Sequence, residues 1–297
     1  MNSTLDPNRM AGRVCLVTGA TSGIGKATAT SLAAQGAEVI VTGRNQRKAD
    51  DTVSWIKSET GNGAVRYLLA DFADLGQVRD LTRALNEQTS HLDVLVNNAG
   101  AFFNTRRETP YGVEMTFLVN HLAPFLLTNL LLEKLREGVP ARIVNVTSAA
   151  HQYDSMNFDD LGFKRGYVGI RAYARSKLAN LLFTYELSRR LAGSQVTVNA
   201  VHPGHVATDI WTTSFPFIGP ALKWVMGFFA LTPEQGADTV IYLASSPEVE
   251  GTTGKYFVAR EAVPSSPLSY DERVAQRLWQ ISEELTGLDH IAAGARI

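Results

Sequence analysis

Short apolar runs separated by longer amphipathic stretches set the pattern of this chain. Val14–Thr18 is apolar and is followed by a glycine-punctuated turn, a helical stretch over Lys26–Gln35 and a second apolar run, Glu38–Thr42. That order predicts a βαβ unit. Further apolar runs lie at Val65–Ala70, Val94–Val96, Arg142–Val146, Val196–Val201 and Gly254–Val258, with helix-like stretches between nearly all of them. Runs that are apolar throughout belong to strands buried on both faces, so the alternation predicts a parallel sheet covered by helices on both sides. Length alone allows two domains, yet no Ser/Gly/Pro-rich linker and no fixed repeat interrupts the alternation. The expectation is one α/β domain, a doubly wound sheet of about seven strands, over residues 11–287. Residues 1–10 and 288–297 are expected to be flexible ends.

Composition enters as a set of exclusions. The 297 residues are 45% hydrophobic, an ordinary globular balance that rules out a disordered or collagen-like chain. Net charge is −1, from 28 Lys+Arg against 29 Asp+Glu, which provides no basic field for a nucleic-acid backbone. One cysteine permits neither an internal disulfide nor a Cys-rich zinc site, and Cys15, inside the first strand, reads as packing. The segment MNSTLDPNRMAGR lacks the pattern of a secretory signal, and no run of about 20 apolar residues occurs. The expectation is a cytoplasmic protein.

The most apolar stretch, about 205–232, carries Ile210, Trp211, Phe215, Phe217, Trp224 and Phe228 with few charges. Such surface does not simply face water. A core helix, a membrane-contacting patch and a lid over an apolar substrate all fit. The lid is favoured, because the segment follows the sixth strand, on the side of the sheet where ligands bind. Membrane contact ranks below it.

Between the first strand and its helix the chain reads Thr18-Gly19-Ala20-Thr21-Ser22-Gly23-Ile24-Gly25-Lys26. Glycines there allow a tight turn and close approach of backbone to a pyrophosphate, while a helix N-terminus offers free N–H groups to the anion. The second strand ends Val41-Thr42-Gly43-Arg44, with no acid to bond a ribose 2′-hydroxyl, and Arg47 and Lys48 follow. Arg44 meeting a 2′-phosphate favours NADP(H) over NAD(H); a solvated basic loop is the alternative.

Tyr173 and Lys177 are four apart at the head of an apolar-periodic stretch running to Arg190, so they share a helical face. A phenol is a poor base near neutrality unless an adjacent ammonium favours the phenolate. Ser148 ends the fifth apolar run, where a hydroxyl can polarise a carbonyl, and Asn97-Asn98-Ala99-Gly100 ends the fourth. Asn120 interrupts the apolar helical run Met115–Leu132. His151 and His205 face either substrate or a solvated loop.

In order and spacing, Thr18–Gly25, Asn97–Gly100, Asn120, Ser148, Tyr173, Lys177 and Pro203-Gly204 resemble the short-chain dehydrogenase/reductase family over about residues 11–258. Glu114–Leu122, Ser176–Asn180, Ile241–Pro247 and Arg277-Leu278-Trp279 resemble its retinol dehydrogenase-like branch. The resemblance implies a Rossmann fold, a nicotinamide cofactor and the catalytic set Asn120, Ser148, Tyr173 and Lys177. Tyr173 would exchange the proton of the substrate oxygen and Ser148 would hold that oxygen. Lys177 would bond the nicotinamide ribose and depress the tyrosine pKa, and Asn120 would hold a relay water. Cofactor contacts would fall on Gly19, Thr21, Ser22, Gly23, Ile24 and Gly25 at the turn, and on Arg44, Asp71 and Phe72 at the adenosine end. Asn98, Ala99 and Gly100 would continue them, with Pro203, Gly204, Val206 and Thr208 near the carboxamide. Relatives pair through the stretches corresponding to Gly112–Arg136 and Arg171–Leu191, which implies a homodimer or homotetramer. Many vertebrate retinol dehydrogenases carry an N-terminal membrane anchor; none is expected in this chain, which sets it apart from a microsomal location.

The leading reading is therefore an NADP(H)-dependent oxidoreductase interconverting carbonyl and alcohol on an apolar retinoid-, steroid- or lipid-aldehyde-like substrate. A catalytically silent NADP-binding redox sensor is the alternative; it would have no need of an activated tyrosine. A sugar-nucleotide epimerase of the extended branch would need more chain after the sixth strand. A metal-dependent dehydrogenase would need a ligand cluster that six scattered histidines and one cysteine do not provide, so no metal is expected.

Overall fold

The computed structural model describes residues 6–138, 140–204 and 231–288. Eight strands form one sheet in the order β3-β2-β1-β4-β5-β6-β7-β8. They are β1 (Val14–Val17), β2 (Glu38–Gly43), β3 (Val65–Leu69), β4 (Val94–Asn97), β5 (Ala141–Val146), β6 (Val196–His202), β7 (Tyr256–Val258) and β8 (Glu261–Val263). All neighbouring pairs are parallel except β7 with β8. The strand order reverses between β1 and β4, which opens a crevice at their carboxyl ends.

Strand side chains alternate between two cores. Cys15, Val17, Val39 and Val41 join Ala29, Leu32, Val240 and Leu243 on one side, from helices α1 (Gly23–Ala34) and, later in the chain, Pro233–Ser245. Val14, Leu16 and Ile40 join Leu81, Phe125, Leu182 and Trp279 on the other. Both faces are covered, which is why the strands read as unbroken apolar runs. Among the described residues the other α-helices are α2 (Gln46–Thr60), α3 (Leu75–Gln88), α4 (Met115–Phe117), α5 (Ala123–Leu130), α6 (Leu132–Glu137) and α7 (Gly169–Arg190); Pro233–Ser245 is α8 and Glu272–Thr286 is α9.

The sequence reading expects about seven strands, and the eighth is a short antiparallel addition. β7 and β8 are joined by Ala259-Arg260, both at positive φ of 50° and 66°, the geometry of a tight hairpin turn. Asn-Gly is the usual signal for such a turn, so Ala-Arg gives no warning of it. The turn is held from outside: Arg260 N–H donates to Thr239 Oγ1 at 3.1 Å and its guanidinium pairs with Asp238.

The helical run expected over Met115–Leu132 is not one regular helix. Leu118–Leu122 forms a π turn between α4 and α5, and it carries Asn120. Outside α5 and α7 lies α9. Trp279 of α9 sits against Phe125 and Phe183 with ring centroids 4.9 and 5.8 Å apart, and the Arg190 guanidinium lies 4.0 Å from its ring. The seam expected to pair across subunits is thus covered within the chain. Because Trp279 fills this seam, Trp279→Ala is expected to lower unfolding free energy by about 3–5 kcal/mol. Urea denaturation checks this; a loss below about 1 kcal/mol would show that α9 is not integral to the core.

Among the described residues, no helix is long and apolar enough to cross a membrane. The expected lid over residues 205–232 lies almost wholly outside the described residues, as do Val206, Thr208 and His205.

Candidate active site

The glycine turn after β1 is built by close packing. Gly19 has a φ of 62°, and a Cβ there would stand 2.8 Å from Ala99 Cα; one at Gly25 would stand 2.4 Å from Asn98 Nδ2. No side chain larger than glycine fits either position without moving backbone. Asn98 fastens the turn to β4, its Nδ2 donating to Thr18 O at 2.8 Å and Gly19 O at 3.2 Å. Thr18 Oγ1 accepts the N–H groups of Asn98 and Ala99, both at 3.0 Å, and donates to Val96 O. Of the expected cofactor contacts, Asn98 and Ala99 thus shape the turn that would hold the pyrophosphate. Thr18, which does most of the fastening, heads the turn in the sequence but is not among the expected contacts.

Ser22 is the N-cap residue of α1 but makes no side-chain cap, and the first turn of α1 contains no acid. Gly23, at a φ of 54°, and Ile24 and Gly25 form that first turn. Its N–H groups are left to an anion. Thr21 packs on Gly43, whose Cβ would come within 2.5 Å of Thr21 Cγ2, so the turn and the end of β2 are in contact. Arg44 follows β2, is exposed, and makes no ion pair with the described residues. Asp71 follows β3 and turns the chain by accepting Ala73 N–H at 3.0 Å. Phe72 is buried in the core beneath it.

The chemical groups gather at the ends of β4 and β5. Tyr173 and Lys177, on the same face of α7, are buried beside the end of β5, and the Lys177 Nζ lies 5.5 Å from the centre of the Tyr173 ring. Ser148 lies close enough to the Tyr173 hydroxyl to favour its phenolate, and Phe102 meets the Tyr173 ring edge-on at 5.9 Å. Lys177 Nζ donates to Val146 O at 3.1 Å, and Thr147 Oγ1 donates to Lys177 O at 2.9 Å, so α7 is held to the end of β5 on either side of the amine. Asn120 Oδ1 accepts Ala101 N–H at 2.7 Å, while its Nδ2 donates to Ala101 O at 3.0 Å and Ser176 Oγ at 2.9 Å. The π turn aims this amide at the loop after β4. With both amide hydrogens used, one Oδ1 lone pair is left for a water.

Electrostatics differ from the sequence expectation in one respect. Burial pushes the Tyr173 phenol up to about 12, opposed only by its bond to Ser148. Burial also brings the Lys177 ammonium down to about 8. Desolvation is the largest influence on the tyrosine here, and the Lys177 Nζ is directed to the Val146 carbonyl.

A nicotinamide dinucleotide fits this arrangement. At Gly100, a Cβ would stand 3.5 Å from Asn120 Oδ1 and 3.7 Å from Lys177 Nζ, so the surface between turn and amine stays open because residue 100 has no side chain. Pro203 and Gly204 follow β6, with Gly204 at a φ of 86° and Leu231 packed against it. His151, by contrast, is buried with both ring nitrogens engaged and does not face a substrate. Sequence reasoning also passed over Arg175, which lies inside Tyr173–Lys177. Its guanidinium is buried, pairs with Asp154 at 3.2 Å, donates to Ser155 O and Asp160 O, and lies 3.7 Å from the Phe163 ring. It ties the loop between Ser148 and Tyr173 to α7; charge within a helical motif was the only signal available.

Comparison with known proteins gives the same picture. A family model described as short chain dehydrogenase matches residues 13–218. Retinol dehydrogenase 14 of Homo sapiens is 43% identical over 298 aligned residues, covering 95% of this chain and 89% of the relative. Polyprenol dehydrogenase of Homo sapiens is 43% identical over 282 aligned residues, covering 93% and 86%. Among solved structures, a short chain dehydrogenase of Escherichia coli CFT073 complexed with NADPH superposes with a TM-score of 0.69 at 25% identity, covering 86% of this chain and 99% of that one. The crevice at the sheet reversal, the glycine turn and these matches together show that the chain belongs to the short chain dehydrogenase family, in its retinol dehydrogenase-like branch.

Proposed function

We propose that this oxidoreductase of CH–OH donors uses NADP(H) to interconvert a carbonyl and an alcohol on an apolar substrate, with Tyr173 as general acid and base. The observation that carries the reading is the meeting of the Tyr173 phenol, the Ser148 hydroxyl and the Lys177 amine at the end of β5, beside the open backbone of Gly100. When bound, the nicotinamide donates or accepts the hydride at its C4. The residues of this chain do the rest. Ser148 holds the substrate oxygen next to the phenol. Tyr173, protonated at neutral pH because burial raises it, gives its proton to that oxygen as a carbonyl is reduced. Lys177 bonds the ribose and, as an ammonium, favours the phenolate when an alcohol is oxidised. Asn120 fixes Ala101 and Ser176 and holds a relay water. The first turn of α1 binds the pyrophosphate through Ser22–Gly25. Asp71 meets the adenine, and Val206 and Thr208 meet the carboxamide.

An apolar substrate is supported by Phe102 against the Tyr173 ring and by relatives named for retinol and polyprenol. The apolar composition of residues 205–232 points the same way. A homodimer or homotetramer is proposed as the assembly, through a contact that leaves α9 in place.

Arg44 decides the cofactor in this reading. Exposed at the end of β2 and without an ion pair among the described residues, it makes a charge-assisted contact to a 2′-phosphate worth about 1.5–3 kcal/mol, so NADPH is preferred over NADH by about 10- to 100-fold in kcat/KM. A panel of lipophilic aldehydes, ketones and alcohols with both cofactors tests this. Arg44→Asp is expected to reverse the preference. Equal kcat/KM with both cofactors in the unmodified protein would refute the NADP assignment, and a preference for small charged substrates would refute the apolar one.

A further inference from the structure

His151 lies three residues beyond Ser148, in a short helical turn over Ala149–Gln152, and its side chain is fully buried. Its partners fix its protonation. Nδ1 lies 2.7 Å from the Ser148 carbonyl oxygen, which can only accept, so Nδ1 carries the hydrogen. Nε2 lies 3.0 Å from Ser266 N, which can only donate, so Nε2 is bare. An imidazolium would set two hydrogens against each other at Ser266. The ring is therefore neutral, in one tautomer and one orientation, and it stands edge-on to Tyr256 at 5.3 Å.

The far end of this bracket is itself anchored to the helix that bears the tyrosine. Ser265 Oγ bonds Tyr185 Oη at 2.6 Å and Ser269 Oγ at 2.6 Å, and Tyr270 stacks on Tyr185 with centroids 5.1 Å apart. Tyr185 lies on α7, twelve residues beyond Tyr173. A closed ring of contacts thus runs from Ser148 through His151, Ser266, Ser265 and Tyr185 into α7, and returns through Tyr173 to the Ser148 hydroxyl. Ser148 follows β5 on a loop, where Ala150 N–H donates to its Oγ at 3.2 Å and the His151 backbone N–H donates to its carbonyl at 3.2 Å, the longer partner of the 2.7 Å Nδ1 contact.

We infer that His151 is a positioning residue: its Nδ1–H, by holding the Ser148 carbonyl, sets the Ser148 hydroxyl at the distance from Tyr173 that proton transfer to the substrate requires. This rests on the reading of Ser148 and Tyr173 given above. A displacement of a reacting group by about 1 Å costs on the order of a hundredfold in rate, so a lost bracket registers in kcat rather than in cofactor binding.

The test uses His151→Asn, which places an N–H donor where Nδ1 stands, and His151→Gln, which places a carbonyl oxygen near Nε2 and leaves the Ser148 carbonyl only the backbone N–H of residue 151, at 3.2 Å. Lipophilic aldehyde reduction with NADPH is measured alongside NADPH affinity and thermal unfolding. The expected result is that His151→Gln and His151→Ala lose about 10- to 100-fold in kcat, His151→Asn stays within about threefold of the parent, and NADPH affinity is unchanged in all three. In a Tyr173→Phe background, His151→Gln should cost nothing more. If His151→Gln matches His151→Asn while Tyr173→Phe is inactive, the bracket is only structural and the inference is overturned. If Tyr173→Phe itself turns over normally, it is the reading of the active site that fails. Should His151→Ala not fold, the Asn and Gln variants decide the question alone.

Discussion

Tyr173→Phe is expected to lower kcat for lipophilic aldehyde reduction by about 10²- to 10⁴-fold, the range for loss of a positioned general acid, while NADPH affinity stays within about twofold. The substitution removes one oxygen from a buried ring and leaves the edge-on contact with Phe102 intact. It also removes a buried hydroxyl whose partner, Ser148, is only half-buried and can turn to the substrate crevice, so stability changes little. Loss of kcat without loss of cofactor affinity separates proton donation from binding. A Tyr173→Phe enzyme retaining more than about a third of parental kcat would show that another group supplies the proton.

Lys177→Met is expected to weaken NADPH binding by about 10- to 100-fold and to lower turnover as well, since an ammonium contact to the ribose is lost together with the cation beside the phenol. The sign of the pH dependence follows from burial. Lys177 falls from its usual range to about 8, so it is an ammonium below that pH and loses its charge as pH rises through it. NADPH affinity of the parent should therefore decline as pH rises through about 8, and that of Lys177→Met should be flat over the same interval. Replacing a buried, desolvated ammonium with an apolar chain of similar length does not destabilise by itself, so unchanged thermal unfolding would exclude collapse of the site as the cause. A pH-dependent affinity that persists in Lys177→Met would assign the titration to another group.

Much of this architecture is legible in the sequence for a physical reason. Parallel strands buried on both faces are largely apolar, so β1 and β2 announce themselves; the glycines at 19 and 25 announce a backbone approached at under 3 Å. Tyr173 and Lys177 are legible because helical periodicity alone places residues four apart together. What escapes is set by contacts between distant segments. The hairpin at Ala259-Arg260 owes its geometry to Asp238 and Thr239 of α8 rather than to its own residues. His151 reads as a loop histidine until Ser266, 115 residues away, is seen to donate to it. Asn97 reads as a strand end and Asn145 as one polar position in an apolar run, but they pair across β4 and β5 at 2.8 Å and continue to Thr128 and Thr184, joining the sheet to α5 and α7 through a buried polar ladder. The raised Tyr173 pKa was equally unreadable, because burial depends on how Phe102, Ala150 and α7 close around the ring.

The central claim, hydride transfer to an apolar carbonyl at the Tyr173 site, is tested most directly by product analysis with NADPH fully deuterated at nicotinamide C4. The protein is incubated with a long-chain or retinoid aldehyde, and the alcohol formed is examined by mass spectrometry. The expected product carries one deuterium per alcohol, on the carbinol carbon, and its formation is suppressed in Tyr173→Phe. NADPH that binds tightly while no labelled alcohol forms from any apolar carbonyl would contradict it, and would point to a protein that holds the cofactor without using it.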